Sequence, residues 1–409
     1  MDASMLYALR DPMGVPSHPI LFLVLGVLTW ALHIAAVHVM LGSSSLAIWG
    51  SFGTDAHRRR LAAAMLMTAK VAISVAIVLG VAPLLFVQVI YDPFWYTSNV
   101  LSAWWAIGFI VILMVATLLL FVYYARNPKL AEGAKASCPG SMILSVVLML
   151  AVGFIMHVLS VQMLSPDQWM EWYAPNGQLD ASGTGLHDYN LWRFGFFIAL
   201  SAPVTGAWLM AYRRYLSVRE GEDQAYLAWV GGLAQKLAIV GGVVSLVFLA
   251  LWMATLPEAI AGFAFSPWVI ASVLMLLVTV FLPNILGRRM EQGLWGYSVL
   301  AVGTVALIVV AAMREAVRWT VLYGQFDYNP LDYLVNMDWY STLLFFATFG
   351  IMGGIVVGYL LTVAWKAGQT RGMYTPSPAI DRLGTLAIAS LAIWMLQYFG
   401  FGIYTMMIQ

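Results

Sequence analysis

Ten apolar stretches, each long enough to cross a bilayer as a helix, follow one another along the chain with short polar breaks between them. They cover 20–49, 69–91, 101–124, 141–163, 191–212, 226–255, 266–286, 294–313, 340–365 and 382–406. Apolar runs of about 20 residues without period-two alternation predict helices rather than strands. The expected fold is all-α: a polytopic transmembrane helical bundle of about ten spans, five within 1–215 and five within 216–409 of the same membrane domain. The first stretch is too long for the core of a signal peptide, so we expect it to remain in the protein.

Composition removes other classes. Of the 409 residues, 62% are hydrophobic and only 10% charged, against about 25% charged in soluble chains. A net charge of +1 supplies no basic field for nucleic acid. The lone Cys138 rules out internal disulfides, iron–sulfur ligation, a cysteine zinc site and covalent c-type haem attachment. Any haem is therefore non-covalent.

Charge then predicts orientation, because cytoplasmic loops collect Lys and Arg. With the N-terminus outside, 16 of the 20 basic residues fall on the inner side: Arg58, Arg59, Arg60, Lys70, Arg126, Lys129, Lys135, Arg213, Arg214, Arg219, Lys236, Arg288, Arg289, Lys366, Arg371 and Arg382. Only Arg10, Arg193, Arg314 and Arg318 are left outside. The two longest outer loops, 164–190 and 314–339, are acidic and carry Trp169, Trp172, Tyr173, Tyr323, Tyr328, Tyr333 and Trp339. Such aromatics form an interfacial belt or, alternatively, a quinone or partner site. Gly350, Gly354 and Gly358 give the ninth span a flat face, for packing within the bundle or at a subunit interface. Gly231, Gly232, Gly241 and Gly242 do the same in the sixth.

No carboxylate falls in the middle of an expected span, which argues against an acid-based proton relay. Histidines do: His33 and His38 in the first span and His157 in the fourth. A buried imidazole is costly enough to need a partner. His33 and His38 lie about 140° apart around a helix, so only one can ligate a given metal. His33 and His157 match in depth, roughly 8 and 10 Å below the outer surface. Neutral imidazole is the usual ligand of b-type haem iron, and His33 and His157 on facing helices would make a six-coordinate site. Bonding to a neighbouring helix is the alternative for each. Arg314 and Arg318, four residues apart with Glu315 between, close the eighth span. They could clamp haem propionates or a quinone carbonyl, or pair with Asp327 or Asp332.

Several motifs recur in a telling order. His33 is followed nine residues on by Gly42; Lys70 precedes Leu79-Gly80-Val81-Ala82; Trp95 stands fifteen residues after Gly80; Val204-Thr205-Gly206 closes the fifth span; and Arg314 to Trp319 lies on the outer side. This pattern resembles subunit I of cytochrome bd-type quinol oxidases, over residues 1–215 by motif and over 216–409 by topology. The resemblance implies that His33 matches the family's first-helix haem ligand, and His157 has no counterpart there. The family's low-spin haem histidine, nine residues before the Val-Thr-Gly glycine, is replaced by Phe197, so that haem should be missing. Residues 101–124 lack the family's third-helix glutamates, and the family's large quinol loop shrinks to Leu256–Ser266.

The expectation is an electron-transfer subunit of a quinol-linked oxidoreductase complex in the bacterial cytoplasmic (inner) membrane. It would hold one haem b near the outer face with His33, His157, Arg314 and Arg318. Electrons would pass between membrane quinol and a c-type cytochrome or periplasmic oxidoreductase docked on the outer loops. A haem-free anchoring subunit of a membrane complex is the second reading and a terminal quinol oxidase the third. No inverted repeat or pair of broken helices points to a solute carrier.

Overall fold

The computed structural model describes residues 3–132, 134–219, 223–370 and 373–408; Arg371 lies outside them. Ten long apolar helices dominate: α1 (Pro19–Ser51), α2 (Ala56–Ile90), α3 (Ala103–Arg126), α4 (Pro139–Gln162), α5 (Leu191–Ser217), α6 (Gln224–Ala254), α7 (Pro267–Leu286), α8 (Ser298–Phe326), α9 (Trp339–Gln369) and α10 (Pro378–Ile408). The chain is an all-α, multi-pass membrane protein. Side chains close the first turns: Asp55 accepts from Arg58 N–H at 3.0 Å, Asn190 from Arg193 N–H at 2.9 Å, Asp223 from Ala225 N–H at 2.8 Å and Asp338 from Ser341 N–H at 3.0 Å.

Two helices outrun their apolar stretches. α2 begins at Ala56, well before 69, because Asp55 caps a charged first turn that continues the same helix beyond the hydrocarbon. α8 runs on to Phe326 instead of ending near 313. Glu315 and Arg318, at 9% and 4% exposure, are therefore buried residues of a continuous helix and not a loop. The expectation that no carboxylate falls in the middle of a span held for a span ending near 313; in the longer helix Glu315 lies well inside it. Hydropathy ends a span at its first charges, whereas the helix continues wherever those charges find partners inside the protein.

Two compact units make up the chain: Met1–Pro12 with Pro19–Tyr333, and Met13–His18 with Leu334–Gln409. Residue 215 thus lies within the first unit, at the foot of two helices in close contact. A Cβ on Gly206 of α5 would stand 2.7 Å from the Ala234 carbonyl of α6, and one on Gly241 of α6 would stand 2.4 Å from Ala202 Cβ of α5. Helices that approach this closely need small residues at the contact. Gly42 of α1 is tighter still: its Cβ would fall 1.6 Å from Thr205 Oγ1. The N-terminal segment is tied down by Arg10, whose guanidinium lies 4.1 to 4.5 Å from the ring centres of Tyr7, Tyr328 and Tyr333 and donates to the Asn329 carbonyl at 2.7 Å.

In the second unit, residues 13–18 pair with the segment before α9 through Val15 N–H to Leu334 O and Asn336 N–H to Val15 O, both 2.9 Å. A π-helical turn over 347–352 interrupts α9, and Trp394 of α10 donates its indole N–H to Thr348 at 2.9 Å there. Gly384 receives the Tyr359 ring. A Cβ added at Gly350, Gly354 or Gly358 would meet no atom of the described residues within 4 Å, so that glycine face is open within the unit.

Candidate functional site

A cavity of about 550 Å³ opens in the first unit among α1, α2, α3, α4, α5 and α8. It lies toward the face of the bundle on which α1, α3 and α5 begin and α2, α4 and α8 end. Its walls are mostly apolar, with Ile34, Leu84, Phe109, Met149 and Phe197 among them. The polar groups that interrupt them are His33 and His38 from α1, Tyr91 at the end of α2, His157 from α4, Arg193 from α5, and Arg314, Glu315 and Arg318 from α8. All four expected site residues, His33, His157, Arg314 and Arg318, are brought to this one cavity.

Each histidine has a different hydrogen-bond state. His33 Nδ1 donates to the Ala76 carbonyl of α2 at 2.9 Å. The bond is possible because residue 80 is glycine: a Cβ there would stand 2.8 Å from His33 Cε1. With Nδ1–H engaged, Nε2 of His33 keeps a free lone pair, the state in which imidazole binds metals. His157 is used differently. Its Nε2 accepts the Asn190 N–H at 3.2 Å, at the start of α5, and its ring packs against Phe154 and Phe194. That lone pair is committed to positioning α5. His38 is 1% exposed, and neither ring nitrogen has a hydrogen-bond partner among the described residues. The 140° separation of His33 and His38 does not keep them apart, because the cavity is broad enough to be lined by both.

At the charged end, Glu315 is the hub. It accepts from Arg318 at 3.0 Å and from the Tyr91 hydroxyl at 2.5 Å, and Arg314 lies 3.9 Å away. Neither arginine pairs with Asp327 or Asp332. Asp332 instead offers its carbonyl to Arg10. Arg314 stacks on Trp30 at 4.5 Å and Arg318 on Tyr91 at 4.8 Å. Arg193, 6% exposed, faces the same end, with Trp252 5.7 Å from its guanidinium. Reading the sequence placed Glu315 beside the two arginines but missed Arg193 as a site residue, although Arg193 was among the few arginines left on the side where the charge rule disfavours them.

No known protein-family model matches this chain, and no curated protein is detectably similar to it. No cluster of three or more metal-ligating side chains exists among the described residues.

Proposed function

We propose that the chain is the haem-bearing membrane subunit of a quinol-linked electron-transfer complex, a divergent relative of cytochrome bd subunit I, in a bacterial cytoplasmic membrane with the cavity end toward the exterior. The observation that carries this reading is the joint presence, in one largely apolar cavity, of an oriented His33 with a free Nε2 and of the guanidiniums of buried Arg318 and half-buried Arg314 on α8. A b-type haem asks for both: an imidazole for iron, and cations for its propionates within an apolar slot. A volume of about 550 Å³ also falls in the range of cofactor sites.

In this reading His33, held by the Ala76 carbonyl and the space above Gly80, would supply a nitrogen ligand to the haem iron. Arg314 and Arg318 hold the propionates, with Glu315 fixing the two guanidiniums in place. Bound haem supplies one-electron transfer between ferric and ferrous iron. The apolar walls from α1, α2 and α4 exclude water and favour the state of lower net charge. His157 is bonded to Asn190, so its Nε2 lone pair would be taken up by the start of α5. A c-type cytochrome or periplasmic oxidoreductase then exchanges electrons at the acidic outer loops, and quinol is the membrane-side partner.

A reduced-minus-oxidised visible spectrum with haem stoichiometry on the purified chain tests the proposal. One b-type haem per chain, lost in His33→Ala, is expected. A chain free of haem would leave the anchoring-subunit reading in its place.

A further inference from the structure

The charged end of the cavity does not balance. Arg193, Arg314 and Arg318 bring three guanidiniums to it, and Glu315 is the one carboxylate among the described lining residues. Asp188, in the loop before α5, is half-buried, bonded to Ser165 at 2.7 Å and not within ion-pair distance of Arg193. Nε of Arg193 and both Nε and one terminal nitrogen of Arg318 are buried without a hydrogen-bond partner among the described residues. A buried cation is stable only when an anion or a full set of acceptors meets it. Two positive charges and three unused donors, at the mouth of an apolar cavity, ask for an anion with a greasy body.

We infer that this end of the cavity binds an amphiphilic dianion, with Arg193 as the third arm beside Arg314 and Arg318. The body of the ligand lies along the apolar walls and its two anionic groups reach the guanidiniums. Two sources share this chemistry: the paired propionates of haem, and the two-phosphate headgroup of a dianionic phospholipid such as cardiolipin. The inference rests on the haem reading only for the choice between them. Arg193 comes from α5, a different helix from the one that carries Arg314 and Arg318, so it can meet a second anionic group where two arginines of a single helix would hold one.

Full-length chain purified from haem-depleted cells, titrated with haemin and with haemin dimethyl ester, tests this. Haemin should bind at least about tenfold more tightly than the uncharged ester, the loss expected for one charge-assisted contact. Arg193→Gln should remove most of that preference while leaving ester binding unchanged, and Arg193→Lys should keep much of it. Equal binding of haemin and ester by the wild-type chain, or an undiminished preference in Arg193→Gln, would overturn the inference. Should Arg193→Gln not fold, the wild-type ester comparison and Arg193→Lys decide alone. If the wild-type chain takes up neither porphyrin, the haem reading fails and the lipid arm decides. Cardiolipin that co-purifies with wild type and is lost in Arg193→Gln then upholds the inference, and equal cardiolipin in both removes it.

Discussion

A glycine at residue 80 lets the His33 ring lie against a helix backbone and bond the Ala76 carbonyl. Any Cβ at residue 80 would come within 2.8 Å of His33 Cε1 and 3.0 Å of Nδ1, so the ring must leave the Ala76 carbonyl or the helices must part. Alanine is otherwise the better helix former. Gly80→Ala should therefore leave thermal stability near wild type yet weaken haem retention about tenfold, as loss of a ligand's supporting bond does; haem-to-protein ratio alongside an unfolding curve separates the two. Gly42 behaves in the opposite way, since it touches no cavity group but meets Thr205 at the α1–α5 contact. Gly42→Ala should cost about 1–3 kcal/mol by overpacking, and Thr205→Gly in the same chain should recover most of it. Both glycines, and His33, were visible in the sequence as a spaced set. What the sequence did not show is that they form two physical contacts, His33 over Gly80 and Gly42 under Thr205. Arg193 was harder to see, because nothing in its neighbours distinguishes a solvated charge at a helix end from one folded inward.

At the scale of helices, apolar run length located all ten spans, and the errors fall where charge and helix diverge. α2 starts on His57-Arg58-Arg59-Arg60 and α8 continues through Arg314-Glu315; a window that counts apolar residues stops at such groups although the backbone bonds do not. The π-helical turn in α9 was illegible for a related reason, since it alters backbone pairing without changing composition. The α3–α4 connection offers a test of how the helices are threaded. Cys138 is exposed there, and Arg126 Nη1 lies 3.1 Å from its sulfur. Hydrogen bonds from Arg126 and Ser137 hold its thiol below the ordinary cysteine range. A lower value means more thiolate at neutral pH. Alkylation by a membrane-impermeant maleimide should thus begin at lower pH than for a free thiol, Arg126→Gln should shift the profile back upward, and labelling should require access to the cytoplasmic side. Labelling of intact cells without permeabilisation would reverse the orientation of all ten spans.

Across the whole molecule, the four basic residues that break the charge rule all find partners or a cavity inside the fold. Arg10 sits among three tyrosine rings and Arg193, Arg314 and Arg318 line the cavity. This bears on what a complex built on the chain can do with electrons. Reducing oxygen to water consumes protons, and a buried site obtains them through titratable groups that reach the proton source. α3, from Ala103 to Arg126, contains no acid, and Phe197 packs against Trp30, Phe196 and Trp252 where the resembling family has a haem histidine. Glu315 is the cavity's carboxylate, but it is held by Arg318, Tyr91 and Arg314 and sits toward the face opposite the basic loops. A carboxylate held between two guanidiniums positions charge and does not carry protons in from the face of the basic loops. If the chain serves quinol-linked electron transfer as proposed, membranes that contain it should therefore oxidise quinol only when an external electron acceptor is present. Oxygen consumption on addition of quinol should stay at the level of a strain lacking the chain, and cyanide-resistant uptake that depends on it would show that protons reach the cavity by a route other than these residues.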